Sequence, residues 1–323
     1  MSAGSIYCTK MEAAANPYHP KRFLSLDSVL KNEFGAKVVK IPLNAGFSCP
    51  NRDGAKGFGG CIYCSSSLSG EFAGSPSLSL KEQFDIGKAE YLKKWGDTLY
   101  MAYLQAGTNT YAPYEKLVRV FGEAVSIPDS VGLSIATRAD CVTTRVADLL
   151  ADISKKTYLT VELGLQSSSD DTALRINRGH TYAEFLSGYR LLAERGIKTC
   201  IHIINGLPGE SHADMMNTAR DVAALRPYEV KIHSLYIVMN TKAALMWASG
   251  ELEAMGREEY IKTVCDQLEI LPPDTAIGRL TGDGDRSTLL APLWTRDKRG
   301  VLNGIDKELR LRGSRQGIRY SQN

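Results

Sequence analysis

The sequence predicts an α/β protein whose core is an open barrel of six strand–helix units. β-branched and apolar runs alternate with helical patterns through the middle of the chain. Nearly every such run is followed by a helix, which is the order that a parallel sheet requires. A chain of 323 residues, 43% of them hydrophobic, can bury a core of that size. Closure into an eight-unit barrel would need two further strands, whereas the sequence after residue 239 contains mainly helical patterns.

We divide the chain into an N-terminal arm (1–36), the partial (β/α)6 barrel (37–240) and a C-terminal α-rich extension with a basic tail (241–323). The arm contains a short predicted helix from Leu24 to Phe34, which ends before a β-branched run. Strands are predicted over residues 37–43, 98–104, 130–136, 157–164, 197–204 and 229–238. Helices are predicted over residues 80–95, 114–125, 143–154, 181–195, 210–225, 242–250 and 256–270. One extended segment is predicted near residues 275–280.

Composition and cysteine usage predict a cytoplasmic protein with no membrane partner. No apolar run approaches the roughly 20 residues of a membrane span, and the first residues lack the basic and apolar regions of a secretory signal. Seven cysteines, an odd number in a long chain, do not suggest a disulfide framework. Four of them are scattered, and we interpret these as core residues: Cys8, Cys141, Cys200 and Cys265.

The other three cysteines, Cys49, Cys61 and Cys64, share one glycine-rich segment with no fourth cysteine within reach. A structural zinc site is normally closed by four protein ligands. A cubane iron–sulfur cluster held by three thiolates leaves one iron open for another ligand. The segment therefore predicts a cluster site with an open position, and a non-enzymatic zinc-binding module is the alternative.

Polar residues follow the predicted strands, and the carboxyl ends of parallel strands lie at one edge of a sheet. They are Gln105 to Asn109, Arg138, Glu162, Gln166, His202, Asn205, Gly206, His233 and Tyr236. Glu162 lies in an otherwise apolar strand, so it needs a partner; a structural pair with Arg138 and a ligand contact are both open. A strand histidine is more often a core residue than a ligand. The glycines around Gly206 fit either a tight turn or close approach of a ligand.

Net charge is only +3, but residues 296–319 hold eight Lys or Arg against three acidic residues, which leaves −2 for the rest of the chain. Such a block fits a polyanion footprint. It equally fits a solvated helix face with i,i+4 pairs such as Glu308 and Arg312.

Together these motifs resemble the radical S-adenosylmethionine enzymes over residues 37–240. The spacing C-x11-C-x2-C and the segments Gly46–Gly54, Glu162–Ser167 and Arg178–Thr181 are similar to those of the YtqA/YhcC group. That group is itself similar to the radical domain of the Elongator catalytic subunit. The resemblance implies a [4Fe-4S] cluster on Cys49, Cys61 and Cys64, with S-adenosylmethionine on the open iron.

The resemblance also implies roles for residues at the strand ends. Tyr63 would shield the adenine. The segment around Gly107 would receive the methionine amino group, with Thr108 or Asn109 replacing the usual glutamate. Glu162 would hold the ribose or methionine end. The full expected cofactor-binding set is Tyr63, Gln105, Gly107, Thr108, Asn109, Arg138, Glu162, Gln166, Arg178, Ile204, Gly206, His233 and Tyr236.

The implied activity is radical modification of tRNA, converting the 5-carboxymethylaminomethyl side chain of the wobble uridine to 5-aminomethyl. The implied partners are tRNA and an electron donor such as flavodoxin or ferredoxin. Tyr103, Tyr236 and Cys200 are candidate hydrogen donors by position. The candidate nucleic-acid-binding residues are Arg296, Lys298, Arg299, Arg310, Arg312 and Arg315. A radical enzyme acting on a small metabolite or peptide is the alternative.

Overall fold

A seven-stranded parallel sheet curls into a half-barrel at the centre of the molecule. The computed structural model describes residues 21–96, 98–282 and 284–321, so Cys8 lies outside the described residues. Neighbouring strands follow the order β1-β2-β3-β4-β5-β6-β8. These strands are β1 (Val38–Leu43), β2 (Leu99–Leu104), β3 (Ser130–Thr137), β4 (Tyr158–Gln166), β5 (Lys198–Asn205), β6 (Glu229–Ser234) and β8 (Ala276–Arg279).

Helices cover the outer face of this sheet, and several begin at the capping signals that their sequences contain. Ser79, Thr181 and Ser211 each form a capping box with an acidic residue three positions later. The helices are α1 (Leu26–Phe34), α2 (Leu80–Trp95), α3 (Tyr114–Val125), α4 (Thr144–Ser154), α5 (Asp170–Arg175), α6 (Tyr182–Ala193), α7 (His212–Leu225), α8 (Lys242–Ala248), α9 (Arg257–Ile270) and α10 (Lys298–Leu311). Phe84, Phe121 and Phe185 are fully buried between this layer and the sheet.

The predicted α/β partial barrel is confirmed, but two details of the prediction are wrong. The sixth strand ends at Ser234: the backbone N–H of Leu235 makes a last hydrogen bond to Asn205 O, and the chain then leaves the sheet. The next residues form a separate strand, β7 (Ile237–Val238), which pairs antiparallel with β9 (Leu289–Ala291). The extended piece near 275–280 is β8, which pairs parallel with β6 and adds a seventh strand.

Helices α9 and α10 run side by side from the carboxyl ends of the strands to their amino ends. At the first end, Arg257 forms an ion pair with Asp297 at 3.5 Å. At the other end, the Gln316 side chain donates to the carbonyls of Pro272 and Thr275, just before β8. Residues 296–319 therefore extend along the full height of the barrel. No helix in the described part of the chain combines the length and apolar character of a membrane span.

Candidate active site

A cavity of about 640 Å³ opens at the carboxyl ends of the strands. The three cysteines of the loop line its rim, and side chains from the inner face of the sheet form its floor. Eleven of the thirteen expected cofactor-binding residues line it: Tyr63, Gln105, Gly107, Thr108, Arg138, Glu162, Gln166, Arg178, Ile204, His233 and Tyr236. The structure thus brings most of the predicted residues to one place, while their binding roles stay predictions.

Asn109 and Gly206 are not among the lining residues. The Asn109 side chain is fully buried and donates to the carbonyls of Leu104 and Ala136, so it joins the ends of β2 and β3. Gly206 has a φ of 83° and packs beneath the C-terminal extension, where a Cβ would lie 3.2 Å from Met255 Cβ. Both residues therefore have a structural explanation.

The cysteine loop, residues 49–64, is held in place by hydrogen bonds from outside its own sequence. Asn177 Nδ2 donates to the carbonyls of Phe58 and Gly60 at 3.1 and 2.7 Å. The Ile62 N–H donates to Ile176 O at 3.0 Å. Within the loop, Arg52 donates to Cys64 O at 2.8 Å. The contacts with Ile176 and Asn177 join the loop to the segment that follows α5.

The surroundings of the thiols fit a negatively charged metal–thiolate group. Arg178 Nη1 and Asn51 Nδ2 each lie 3.8 Å from Cys61 Sγ, in hydrogen-bonding geometry. Such N–H donors stabilise charge on cluster sulfurs. In the metal-free chain, burial and then the neighbouring Cys61 raise the pKa of Cys64 to about 11. A bound cation would reverse that effect, since coordination deprotonates a thiol.

Several buried polar atoms beside the cysteines have no hydrogen-bond partner among the described residues. They are Asn51 Oδ1, Arg52 Nε, the Tyr63 hydroxyl, Gln166 Oε1 and Arg178 Nε. Gln166 also has a φ of 74°, in the left-handed region that favours glycine, at an irregularity of the β4–β5 pairing. Unpaired buried polar atoms and local backbone strain together are typical of ligand sites.

Gly107 allows the segment after β2 to lie directly on the residues that lead into the cysteine loop. Its φ is 77°, and a Cβ there would lie 2.4 Å from Phe47 O. The next residue, Thr108, donates its N–H to Ser48 O at 2.9 Å. A side chain at position 107 would therefore push apart the two segments expected to hold the cofactor.

On the cavity floor, Glu162 is the centre of a hydrogen-bonded group that we call the Glu162 cluster. Its members are Lys40, Tyr103, Ser134, Glu162, His202 and Lys231. Lys40 Nζ lies 2.6 Å from Oε1, and Lys231 Nζ lies 2.5 Å from Oε2. Five donors thus share two carboxylate oxygens, which have about four lone-pair positions.

The pairing of Glu162 with Arg138 that the sequence left open is wrong. Arg138 instead binds Asp140 with two hydrogen bonds of 2.9 and 3.0 Å, and donates to Arg178 O. It therefore anchors the segment after α5 to the end of β3. If Glu162 held the ribose of S-adenosylmethionine, as the resemblance implies, the ribose would have to displace one of the five donors that already bind this carboxylate.

Charges within the Glu162 cluster fix its protonation states. Burial opposes ionisation of Glu162, but Lys231 and Lys40 outweigh it and hold the pKa of this carboxyl well below its usual value. Burial raises the pKa of Tyr103 well above its ordinary value, with Glu162 adding to the effect. Burial likewise raises the pKa of the nearby Cys200 thiol. Both candidate hydrogen donors thus remain protonated, although Cys200 is fully buried.

The structure separates the basic tail into two groups. Arg296, Lys298 and Arg299 are exposed at the end of the barrel where the cavity opens, and there Arg296 donates to the carbonyls of Arg286 and Leu289. Lys298 and Arg310 are twelve residues apart, about 18 Å along a helix. Arg310, Arg312 and Arg315 lie toward the amino ends of the strands.

Ion pairs occupy much of this second group. Arg312 contacts Asp266, Glu269 and Glu308, the last at 2.8 Å. Arg310 forms an ion pair with Asp306. The i,i+4 pair between Glu308 and Arg312 that the sequence suggested is therefore confirmed.

Two sequence profiles match most of the chain. The profile of the Radical SAM superfamily matches residues 49–222, and that of the Radical_SAM C-terminal domain matches residues 227–310. The chain belongs to the radical SAM superfamily. Radical SAM enzymes use a [4Fe-4S] cluster and S-adenosylmethionine and need a reductant, so the expected cofactors are confirmed.

Similar proteins confirm the narrower resemblance. The chain is 46% identical to the uncharacterized protein YtqA of Bacillus subtilis (strain 168) over 92% of each chain. It is 36% identical to protein YhcC of Escherichia coli (strain K12), over 88% of this chain and 91% of YhcC. The solved structure of Elp3 from the archaeon Methanocaldococcus infernus, with an N-terminal deletion, matches with a TM-score of 0.65 at 19% identity. That match covers 86% of this chain but 64% of the Elp3 chain, and it shows the fold alone.

Sequence reasoning missed three cations on the cavity floor: Lys40, Lys231 and Arg279. A signal was present in the sixth strand, where Glu229, Lys231 and His233 alternate with apolar residues. Alternation of this kind places all three side chains on one face of a strand. Arg279 had no comparable signal, because its strand of four residues is too short to show an alternating pattern.

Proposed function

We propose that this radical SAM enzyme modifies tRNA, converting the 5-carboxymethylaminomethyl side chain of the wobble uridine to 5-aminomethyl. The observation that carries the proposal is the single cavity shared by the cysteine loop and the polar strand ends. Its volume of about 640 Å³ lies within the usual range of ligand pockets and leaves space for a substrate side chain beside the cofactor. The tRNA substrate follows from the resemblance to the YtqA/YhcC group.

Residues at the rim would hold the cofactors. Cys49, Cys61 and Cys64 would bind the cluster, while Gln166 and Tyr63 would give their unpaired oxygens to S-adenosylmethionine. When bound, the cluster and S-adenosylmethionine together would supply a 5′-deoxyadenosyl radical that removes a hydrogen atom from the methylene beside the carboxylate, and the oxidised cluster would accept a second electron. Water would then cleave the resulting C=N bond, which releases the carboxymethyl group as glyoxylate and leaves the aminomethyl group on the uridine. An electron donor such as flavodoxin or ferredoxin would provide the reducing equivalent.

The remaining cavity residues would orient the substrate and exclude water from the reaction. Because all its lone pairs are used, we assign Glu162 to holding Lys40 and Lys231 in place rather than to the ribose. Burial of the floor keeps bulk solvent away from the reacting methylene group. Protein groups thus supply binding and orientation, and the cofactor supplies the difficult chemistry.

Exposed cations beside the mouth support a polyanionic substrate. Arg286, Arg296, Lys298 and Arg299 are exposed at the end of the barrel where the cavity opens, and we assign them to the anticodon loop. Lys and Arg in such positions neutralise phosphates and position a nucleic acid without reading its sequence. We therefore limit the proposed tRNA interface to this group and leave out Arg310, Arg312 and Arg315.

Nucleoside analysis of cellular tRNA tests the proposal. Cells that lack the gene should accumulate 5-carboxymethylaminomethyluridine and lose nucleosides that derive from the aminomethyl form. A plasmid copy of the wild-type gene should restore the profile, and a copy encoding Cys61→Ala should not. An unchanged wobble-uridine profile would contradict the tRNA assignment and favour a small-molecule or peptide substrate.

A further inference from the structure

The β6–β8 side of the cavity contains an arginine whose charge is not neutralised by the protein. Arg279 is the last residue of β8, lines the cavity and is only partly exposed. The strand register places it beside Lys231, which also faces the cavity. Among the described residues, the Arg279 side chain forms no ion pair and donates no hydrogen bond. Its five N–H donors therefore remain available.

Five other cavity cations differ from Arg279 because the protein already uses them, and a sixth, Lys94, lies over the ring of Trp95. Lys40 and Lys231 bind Glu162, and Arg138 binds Asp140. Arg52 and Arg178 donate to backbone carbonyls of Cys64 and Gly164. Placing a guanidinium in a partly desolvated cavity without an anion is unfavourable unless a ligand supplies the anion.

A second unpaired group lies beside Arg279. His233 is on β6, two residues after Lys231, so the two side chains share one face of the strand. Its Nε2 is buried and has no hydrogen-bond partner in the described part of the chain. Burial first, then His202 and Arg279, lower the pKa of His233 well below its usual value. The imidazole is thus neutral at pH 7, and one of its tautomers can donate a hydrogen bond from Nε2.

We propose that Arg279 and His233 form the receptor for a carboxylate of the substrate. An arginine fork binds a carboxylate through two parallel hydrogen bonds, which gives both charge and orientation. Eleven of the thirteen predicted cofactor residues lie on or after β1 to β5, whereas Arg279 is on β8. His233 and Tyr236 are the two that come from the β6 side, and we reassign His233 from the cofactor to the substrate. The β6–β8 side is therefore the part of the cavity left to the substrate.

The identity of this carboxylate rests on the proposed function. In 5-carboxymethylaminomethyluridine the carboxylate is attached to the methylene that would lose its hydrogen atom. Holding the carboxylate at Arg279 would fix that methylene relative to the cofactor. The aminomethyl product has no carboxylate for Arg279 to bind, so it would leave the cavity more readily than the substrate.

Binding of two synthetic anticodon stem-loops tests the receptor without requiring turnover. One stem-loop carries 5-carboxymethylaminomethyluridine and the other carries 5-aminomethyluridine at the wobble position. We expect the wild-type enzyme, loaded with cluster and S-adenosylmethionine, to bind the first about tenfold more tightly, equivalent to one charge-assisted hydrogen bond of about 1.4 kcal/mol. Arg279→Gln should bind both equally, and Arg279→Lys should keep part of the preference because it retains the charge without the fork.

Two controls show that the variants fold. Arg279→Gln should retain the wild-type circular-dichroism spectrum and the iron–sulfur absorbance of the reconstituted enzyme. Arg220→Gln, which removes an exposed arginine on α7 far from the cavity, should keep the full tenfold preference. A wild-type preference retained in Arg279→Gln, or no preference in the wild type, would overturn the receptor.

A small carboxylate separates this inference from the tRNA assignment. If neither stem-loop binds, the tRNA proposal fails, and N-methylglycine then serves as the probe in a thermal-shift titration. Stabilisation of the wild type but not of Arg279→Gln would support a carboxylate receptor in an enzyme with another substrate. Equal behaviour of the two proteins would overturn the receptor as well.

Discussion

The cysteine loop and the Glu162 cluster face the same cavity but differ in how far the protein satisfies their polar groups. In the Glu162 cluster, five donors converge on the two carboxylate oxygens of Glu162. Around the loop, the Tyr63 hydroxyl, Gln166 Oε1 and Arg178 Nε are buried and have no partner among the described residues. Both sets of atoms are polar and buried, so composition alone does not distinguish them.

The difference indicates two roles. A saturated network is complete without a ligand and fixes the geometry of the floor. An unsaturated rim is complete only when a ligand provides the missing partners. Arg279 and His233, at the β6–β8 side, lack partners for their polar atoms, so they resemble the rim rather than the Glu162 cluster.

Removal of one thiol expected to bind the iron–sulfur cluster should give the largest effect on activity. We expect Cys61→Ala to reduce 5′-deoxyadenosine formation to background, because a cubane cluster needs all three thiolates. Its thermal midpoint without metal should change little, since hydrogen bonds from Asn177 and Ile176 hold the loop. Cys141→Ala is the matched control and should retain activity. Full turnover in Cys61→Ala would refute the assignment of the cysteines.

Removal of the central carboxylate should instead act on stability. Glu162→Gln leaves Lys40 and Lys231 without their closest anion, so we expect a loss of about 3–5 kcal/mol in the free energy of unfolding. Urea titration of the metal-free protein measures it. The matched variant Glu229→Gln should lose less, because Glu229 is equally buried but lies 4.0 Å from both lysines without a hydrogen bond. Equal losses would mean that saturation of Glu162 carries no special stability.

The two histidines of the floor should differ in their effect on pH dependence. Burial lowers the pKa of both His202 and His233, so the unfolded chain takes up protons below about pH 6.5 while the folded chain does not. Stability should therefore fall as the pH drops from 6.5, by up to about 1.4 kcal/mol per pH unit for each such histidine. His233→Gln should flatten this fall more than His202→Gln, because Glu162 partly restores the pKa of His202. Urea titrations between pH 7 and 5 measure this dependence, and a flatter fall in His202→Gln than in His233→Gln would contradict the prediction.

Charge at the mouth should have the smallest effect. Replacing Arg296 and Arg299 by Gln should weaken tRNA binding several-fold and reduce the slope of log K against log salt, by roughly 0.7–0.9 for each phosphate that is no longer neutralised. Arg310→Gln should leave the affinity and the slope unchanged, because Arg310 lies at the far end of α10 in an ion pair with Asp306. A larger loss of tRNA affinity in Arg310→Gln would show that Arg310, Arg312 and Arg315 belong to the interface after all.

Much of the fold could be predicted because its signals are local. Capping residues such as Ser79 and Thr181 and the apolar runs of β1 to β5 identify their elements without tertiary information. The seventh strand could not be assigned to the sheet, since four residues after two helices carry no signal of their pairing partner. The sixth strand was extended too far because Ile237 and Val238 have the same character as strand residues of the main sheet.

At the site, the cysteines could be identified from spacing, whereas the state of Glu162 could not. The sequence shows that Glu162 needs a partner, but Lys40 and Lys231 approach it from strands 122 and 69 residues away. The basic tail illustrates the same limit. Its charges are evident in the sequence, but only packing reveals that Arg312 is neutralised by Asp266, Glu269 and Glu308.

The central claim is that the cavity directs cofactor chemistry onto a carboxylated wobble-uridine side chain. The most direct measurement is an anaerobic reaction of reconstituted enzyme, S-adenosylmethionine, reductant and tRNA bearing 5-carboxymethylaminomethyluridine. We expect 5-aminomethyluridine and 5′-deoxyadenosine to accumulate together in the wild type, and we expect Arg279→Gln to form 5′-deoxyadenosine with little modified nucleoside. Formation of 5′-deoxyadenosine by the wild type with an unchanged nucleoside would contradict it.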